Sequence, residues 1–385
     1  MRRAPRFPAL LLLFCAAAAA QETSPELGKN YRAYNEAFAA GRFDRAAELA
    51  RITFDLAVKE LGPEHEKTAV LRINLGHALL LSGKIAESEK ELRAARATVE
   101  KLHGPDNSDL ATIHEDLASI HAGRGEVDQA LAELSAAIAV LDKKLGKGAP
   151  EVTGLLVQRG ALEAAAKKYD AAAATYRAAL QSTEQSFGKD SASAAVIMSL
   201  QGDLEAVQNR RAEAEQLYVG SLAILEKNLV DDDPRIIAGH AKLANFYGAV
   251  DTAKYEQEAD RVIALLQGGE PQALPLFVIE PKYPLDAKGS KTLGWVLLEF
   301  TVTAAGRVAK ARVVESQPPG TLDQAALSAA RLWRFKPKFA DGKRQDQPET
   351  RARLVFGPQN VEVHLGEMQP AGAAPAGSVG KGKTD

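Results

Sequence analysis

The chain has one cysteine, Cys15, in 385 residues. A single thiol closes no intramolecular disulfide and builds no cysteine-based zinc site. Aromatic residues make up only 6%. With alanine so frequent, that favours close-packed helices over a β-sandwich. Charge of one sign is also lacking: the formal net charge is -2, which excludes a generally basic nucleic-acid binder. After the first twenty residues no run reaches the roughly 18 consecutive apolar residues that a membrane-spanning helix needs. What is present is ample for folding, with 46% hydrophobic and 25% charged residues. That composition excludes wholesale disorder. The length points to two or three domains at about 100–200 residues each.

The near-neutral total hides an asymmetry. Residues 21–270 carry 29 Lys+Arg against 39 Asp+Glu, and residues 271–365 carry 14 against 9. An acidic segment followed by a basic one predicts two units with different partners.

Residues 1–20 have the pattern of a secretory signal peptide. Arg2, Arg3 and Arg6 precede an unbroken apolar run from Ala9 to Ala20, and Ala18-Ala19-Ala20 offers small residues before Gln21. Twelve helical residues span about 18 Å against about 30 Å of hydrocarbon, which favours cleavage over a membrane anchor. Lipidation of Cys15 is disfavoured by the bulky Phe14 before it. Removal of the segment would leave no cysteine and place the protein in the periplasm. An uncleaved segment would make it inner-membrane anchored.

The middle of the chain repeats every 42 residues. Gly41-Arg-Phe-Asp-Arg-Ala46 recurs at Gly83, Gly125 and Lys167, and weakly at Asn209 and Asp251. Gly62, Gly104, Gly146 and Gly188 form a second ladder, and Gly76, Ala118, Gly160, Gly202 and Ala244 a third. Each unit reads as two helices. Asp44, Asp128 and Asp170 are expected to cap the second helix. The small-residue ladder is expected where paired helices touch. These positions, with Phe43 and Ala95, resemble the tetratricopeptide repeat family over about residues 27–267, in a form longer than the usual 34-residue unit. The resemblance implies a right-handed helical solenoid with a concave groove, and protein or peptide binding. Five units are well formed, and a sixth, residues 234–267, is degenerate.

After Gly268-Gly269-Glu270-Pro271 the pattern changes. Residues 294–303 and 308–316 read as a hairpin about Gly306, with Val308, Lys310, Arg312 and Val314 on one face. A helix follows from Leu322 to Leu332, then a third strand from Thr350 to Phe356. Trp333 and Phe335, two apart, are expected as core anchors. This stretch resembles the C-terminal domain of TonB-family energy transducers over about residues 275–357. The resemblance rests on Pro281-Lys-Tyr-Pro284, Ala287, Gly294-Trp-Val296, Gly306, Ser316, Leu322-Asp323, Ala325-Ala326, Ala329 and Trp333-Arg-Phe-Lys-Pro337. It implies recognition by strand addition, an extended segment of an outer-membrane receptor pairing with a sheet edge. Here that edge is expected at Arg351, Ala352, Arg353, Leu354, Val355 and Phe356, with Arg351 and Arg353 on one face, either favouring an acidic peptide or forming a solvated face. A standard transducer has a long N-terminal anchor and a Pro-rich spacer, and here the repeats are expected in the spacer's place.

Catalytic chemistry has nothing to stand on. Gly377 to Thr384 matches a phosphate-loop pattern but has neither the preceding strand nor the following helix. His114 and His121 lie two turns apart, about 10 Å, too far to share a metal. His65 reads as a loop or capping residue. The sequence therefore predicts a non-enzymatic chain with no cofactor, metal, nucleotide or nucleic-acid partner. The expected architecture is a signal peptide (1–20), a repeat solenoid of about six helix pairs (21–270), a TonB-like α+β domain with a three-stranded antiparallel sheet (271–365), and a disordered tail (366–385). Its partners would be cell-envelope proteins, among them a TonB-dependent outer-membrane receptor. Membrane association would come only through partners, and homodimers are allowed. The alternative is an energy transducer for TonB-dependent transport, anchored by an uncleaved N-terminus or a partner.

Overall fold

The computed structural model describes residues 24–248, 250–284 and 291–366. The signal-peptide segment, Ala287, the phosphate-loop pattern and the tail from residue 367 lie outside those residues. The chain divides into two compact units, one ending at Ile224 and one beginning at Leu225.

The first unit is built of helix pairs: α1 (Pro25–Ala39) with α2 (Phe43–Leu61), α3 (Glu66–Leu81) with α4 (Ile85–His103), and α5 (Asp109–Gly123) with α6 (Val127–Leu145). Then come α7 (Pro150–Ala165) with α8 (Tyr169–Phe187), and α9 (Ala192–Val207) with α10 (Arg211–Asn228), whose last turn enters the second unit. Every turn inside a pair needs one left-handed residue. Gly41, Gly83 and Gly125 supply it at φ 69°, 80° and 76°, and Lys167 and Asn209 accept it at 60°. There the chain folds back, with Gly41 N donating to Phe38 O and Arg42 N to Ala37 O. Asp44, Asp128 and Asp170 are not caps. The capping positions are Arg42, Glu126 and Lys168, none with a side-chain cap bond. The aspartates sit two residues further in, in the first turn, where a carboxylate meets the positive end of the helix dipole.

The small-residue ladder does mark helix contact. A Cβ on Gly76 would lie 2.7 Å from Leu92, and one on Gly160 or Gly202 would lie 2.6 Å from the ring of Tyr176 or Tyr218. Each small residue faces a large one sixteen positions on. Ala118 and Leu134 share a core cluster in the same way, and Tyr34 and Ala50 share one with the sizes reversed. Ion pairs brace successive repeats, as where Lys101 Nζ reaches Glu64 at 2.5 Å and Lys143 reaches Asp106.

The second unit opens with the pair α11 (Pro234–Tyr247) and α12 (Thr252–Leu265). It continues with β1 (Leu274–Phe277), β2 (Gly294–Val302), β3 (Val308–Gln317), α13 (Asp323–Leu332), β4 (Arg334–Lys336), β5 (Lys338–Ala340), β6 (Lys343–Gln345), β7 (Gln347–Phe356) and β8 (Val361–Leu365). The main sheet is antiparallel in the order β3-β2-β7-β8, beside the small pairs β1-β4 and β5-β6. It thus has four strands where three were expected. Alternate residues Val296, Leu298, Phe300 and Val302 of β2 meet Ala352, Leu354 and Phe356 of β7 in one core with Ala326 and Ala330 of α13. Trp333 and Phe335 are buried there as expected, each ring 5.8 Å from Phe300. The expected face of β3 is broken by a bulge. Lys310 adopts φ 53° and the register shifts between Glu299 and Thr301. Val308 therefore packs on the core with Ala311 and Val313, while Lys310, Arg312 and Val314 are exposed.

Candidate functional site

The six residues expected to form the open edge lie within β7. Arg351 to Phe356 pair with β2, and Ala352 to Phe356 pair with β8 on the other side as well. The strand is interior because the chain turns back after Phe356. Gly357 N donates to Asn360 O at 3.0 Å, and Pro358, expected to end the sheet, sits in that turn. Tyr283 clasps the turn, its hydroxyl donating to the carbonyls of Gly357 and Asn360. Lys291 Nζ donates to Pro358 O and Gln359 O at 3.3 and 3.2 Å. The signal for β8 was present in the alternation Val361-Glu-Val-His-Leu365.

Ala352, Leu354 and Phe356 point into the core and are essentially inaccessible. Arg351, Arg353 and Val355 share the opposite face, half-buried. The two arginines, on one face as expected, differ in partners. Arg351 donates to Glu299 Oε2 at 3.0 and 3.1 Å, and Arg312 reaches the other oxygen. The hydrogen bonds from Arg351 and then Arg312 hold the Glu299 carboxyl below its usual range. The guanidinium of Arg353 lies 4.4 Å over the Trp295 ring, and its Nε is buried with no hydrogen-bond partner.

A second constellation ties α12 to the sheet domain. Arg334 is 1% exposed; its Nε donates to Asp260 Oδ1 at 2.9 Å. Its Nη2 lies 3.1 Å from Glu256 Oε1, without the alignment of a hydrogen bond. Arg307 also reaches Asp260. Tyr255 OH donates to Leu332 O at 2.6 Å, and Arg344 donates to the carbonyls of Ile263 and Leu266. Gly306 fits at φ 75° only because it has no Cβ, which would lie 2.2 Å from Phe335 O and 2.9 Å from Ile263. Sequence reasoning missed this contact, and α12 begins 41 residues after α10 where the earlier step is 42. Tyr255, the fourth residue of α12, stands where earlier repeats bury Ala46, Ser88, Ala130, Ala172 and Ala214, and Glu256 follows it. Ala259 takes the place of the packing residues Leu92, Leu134, Tyr176 and Tyr218, and Asp260 is the residue after it.

In the first unit the odd-numbered helices are linked through polar side chains. Phe38 of α1 stacks near His77 of α3 at 5.5 Å, His77 Nδ1 meets Asp116 of α5 at 2.8 Å, and Glu115 accepts from Gln158 of α7 at 2.5 Å. Burial opposes protonation of His77, but the hydrogen bond and charge of Asp116, with Glu115, raise its pKa overall. His114 and His121 each pair with their own glutamate, Glu133 and Glu126. His65 caps α3, accepting from Lys67 N at 3.1 Å. Among the described residues no group of three or more His, Cys, Asp or Glu is arranged to hold a metal ion, and no helix is long and apolar enough to cross a membrane.

Two family models match the chain. Residues 72–143 match a tetratricopeptide repeat, and residues 279–356 match the C-terminal part of the Gram-negative bacterial TonB protein. Protein TonB of Pseudomonas aeruginosa is 36% identical over 69 residues, covering 18% of this chain and 20% of that protein. Protein TonB of Vibrio cholerae is 34% identical over 64 residues, covering 17% and 26%. The chain thus spans about a quarter or less of the curated relatives it matches. Among solved structures, the apo form of RapI aligns with TM-score 0.51 at 14% identity over 62% of this chain and 84% of that one. A signal transduction ATPase with a tetratricopeptide repeat sensor from Pyrococcus horikoshii aligns at 0.52 and 12%, over 62% and 35%. These two likenesses are of fold alone. The chain contains a tetratricopeptide repeat region followed by a TonB C-terminal domain. Both modules serve protein–protein contact, and their families are generally non-enzymatic.

Proposed function

We propose that this protein is a non-enzymatic interaction protein of the cell envelope. Its helix pairs bind a protein partner, and its TonB-like domain docks an outer-membrane receptor or another envelope protein by strand addition at β7. The observation that carries this reading is the sheet order. β7, the last strand of the region similar to TonB, is bordered on one side by β8 alone, five residues long. Backbone pairing supplies affinity in such docking, and the side chains of the edge supply selectivity. Periplasmic placement is supported by the TonB-like domain and by the pattern of residues 1–20. Single-cysteine variants at Arg353 and Val355, cross-linked in intact cells, test the docking site. Adducts with an envelope protein are expected, and adducts formed only from cysteines on the repeats would reject docking at β7.

A second reading, energy transduction for transport, draws on the similarity to proteins named TonB. The mass of the N-terminus separates the two. A protein starting at Gln21 supports the soluble adapter, and an intact Met1 supports the anchored transducer.

A further inference from the structure

β8 is the chain's own occupant of the edge at which the reading above places a partner. All five of its residues are matched to β7, from Phe356 with Val361 to Ala352 with Leu365. Val361, Val363 and Leu365 turn toward the core, and Glu362 and His364 lie on the other face. Among the described residues, side-chain hydrogen bonds hold the strand at the turn before it. Tyr283 and Lys291 grip the turn before it, whereas at its far end the Gly366 N donates to Arg351 O at 3.3 Å. Peeling from Leu365 would first free the edge beside Ala352 and Arg353.

The residue opposite Arg353 is His364, and directly opposed residues are the closest neighbours on one face of a sheet. His364 brings no carboxylate, and its ring turns to Glu362 at 3.5 Å. Arg351 has Glu299, while Arg353 has the Trp295 ring and a buried Nε–H without an acceptor. A buried donor left unpaired is costly, and an aligned carboxylate forms a charge-assisted bond with it. We propose that β8 stands in for a partner strand, and that the preferred partner is an extended segment with alternate apolar residues and a carboxylate opposite Arg353. This rests on the strand-addition reading and adds to it a chemical class of partner and a built-in competitor.

Two measurements on the full chain test it. First, His364→Glu should raise the melting temperature by about 2–4 °C, and the gain should vanish in an Arg353→Met background. Second, Val363→Pro should loosen β8 by removing a backbone donor. Its titration uses two synthetic peptides, Ser-Val-Glu-Val-Asp-Leu-Ser and the same peptide with Lys in place of Asp. The Asp peptide should bind about tenfold tighter than the Lys peptide, and both should bind the unaltered chain more weakly than the variant. If the variant keeps its circular dichroism and binds neither peptide, strand addition at β7 fails and this inference with it. Equal binding of both peptides, or no stabilisation by His364→Glu, overturns the carboxylate preference and leaves strand addition standing. Should Val363→Pro unfold the chain, the melting comparison decides.

Discussion

At the scale of single residues, size and charge are paired across helices. Gly160 is small because Tyr176 fills its space, with 2.6 Å left for any Cβ. Gly160→Ala should cost about 1–3 kcal/mol through overpacking. Adding Tyr176→Leu should recover most of the loss, since Ala118 and Leu134 already form such a pair. Denaturant midpoints of the three variants check this, and an unchanged midpoint for Gly160→Ala would mean the helices do not touch there. Charge pairing has a pH signature at His77. Its folded pKa is raised above 6.5 by Asp116, against the effect of burial. The pair's stabilisation is therefore fully present below about pH 6.5 and is lost as pH rises through the folded value. Unfolding midpoints between pH 5.5 and 9 should show that decline, and Asp116→Asn should flatten it.

At the scale of elements, α12 adds a docking role to its repeat packing. Tyr255 and Ala259 keep the packing positions of the earlier repeats, while Glu256 and Asp260, the residues after them, both serve Arg334. A guanidinium 1% exposed cannot be left without acids. Asp260→Ala should destabilise the second unit by about 3 kcal/mol. Arg334→Met with Asp260→Leu and Glu256→Leu should recover part of that loss, because no charge is then stranded. Calorimetry of the two variants checks the order. The sequence of α12 alone does not announce this contact. The reason lay in the sheet domain, about 75 residues further along, where no local periodicity reaches. Strand β3 teaches the same point at shorter range. Alternation placed Val308 with Lys310 and Arg312, and the bulge at Lys310 separated them.

At the scale of the molecule, the chain falls into two compact units, the second beginning at Leu225, within α10. Composition places a change at Gly268 to Pro271, where the charge sign and the period both switch. These boundaries answer different questions, one about sequence character and one about packing. We expect a fragment of residues 225–366 to melt cooperatively with mixed helix and sheet. Residues 271–366 alone would expose the Arg334 pocket and the Phe277 ring that Tyr255 covers, and should melt at least about 10 °C lower, or not cooperatively. Circular dichroism of the two fragments decides, and equal melting temperatures would show that α12 adds nothing to the sheet domain.

By itself the sequence determined the features that repeat or alternate locally. Three ladders of 42 residues specified helix pairs, their turns and the points where they touch, because a solenoid repeat packs mainly on its neighbours. The alternation in β2, the helix α13 and the anchors Trp333 and Phe335 were equally legible, since each follows from short-range patterning. Tertiary structure alone decided the rest. Whether β7 is an edge depended on the chain turning back at Gly357 and laying down β8, and pairing order is a non-local choice. Whether Arg334 is buried depended on acids from α12. Side chains that look alike in sequence, such as Arg351 and Arg353, acquired different chemistry because Glu299 lies across from one and His364 from the other.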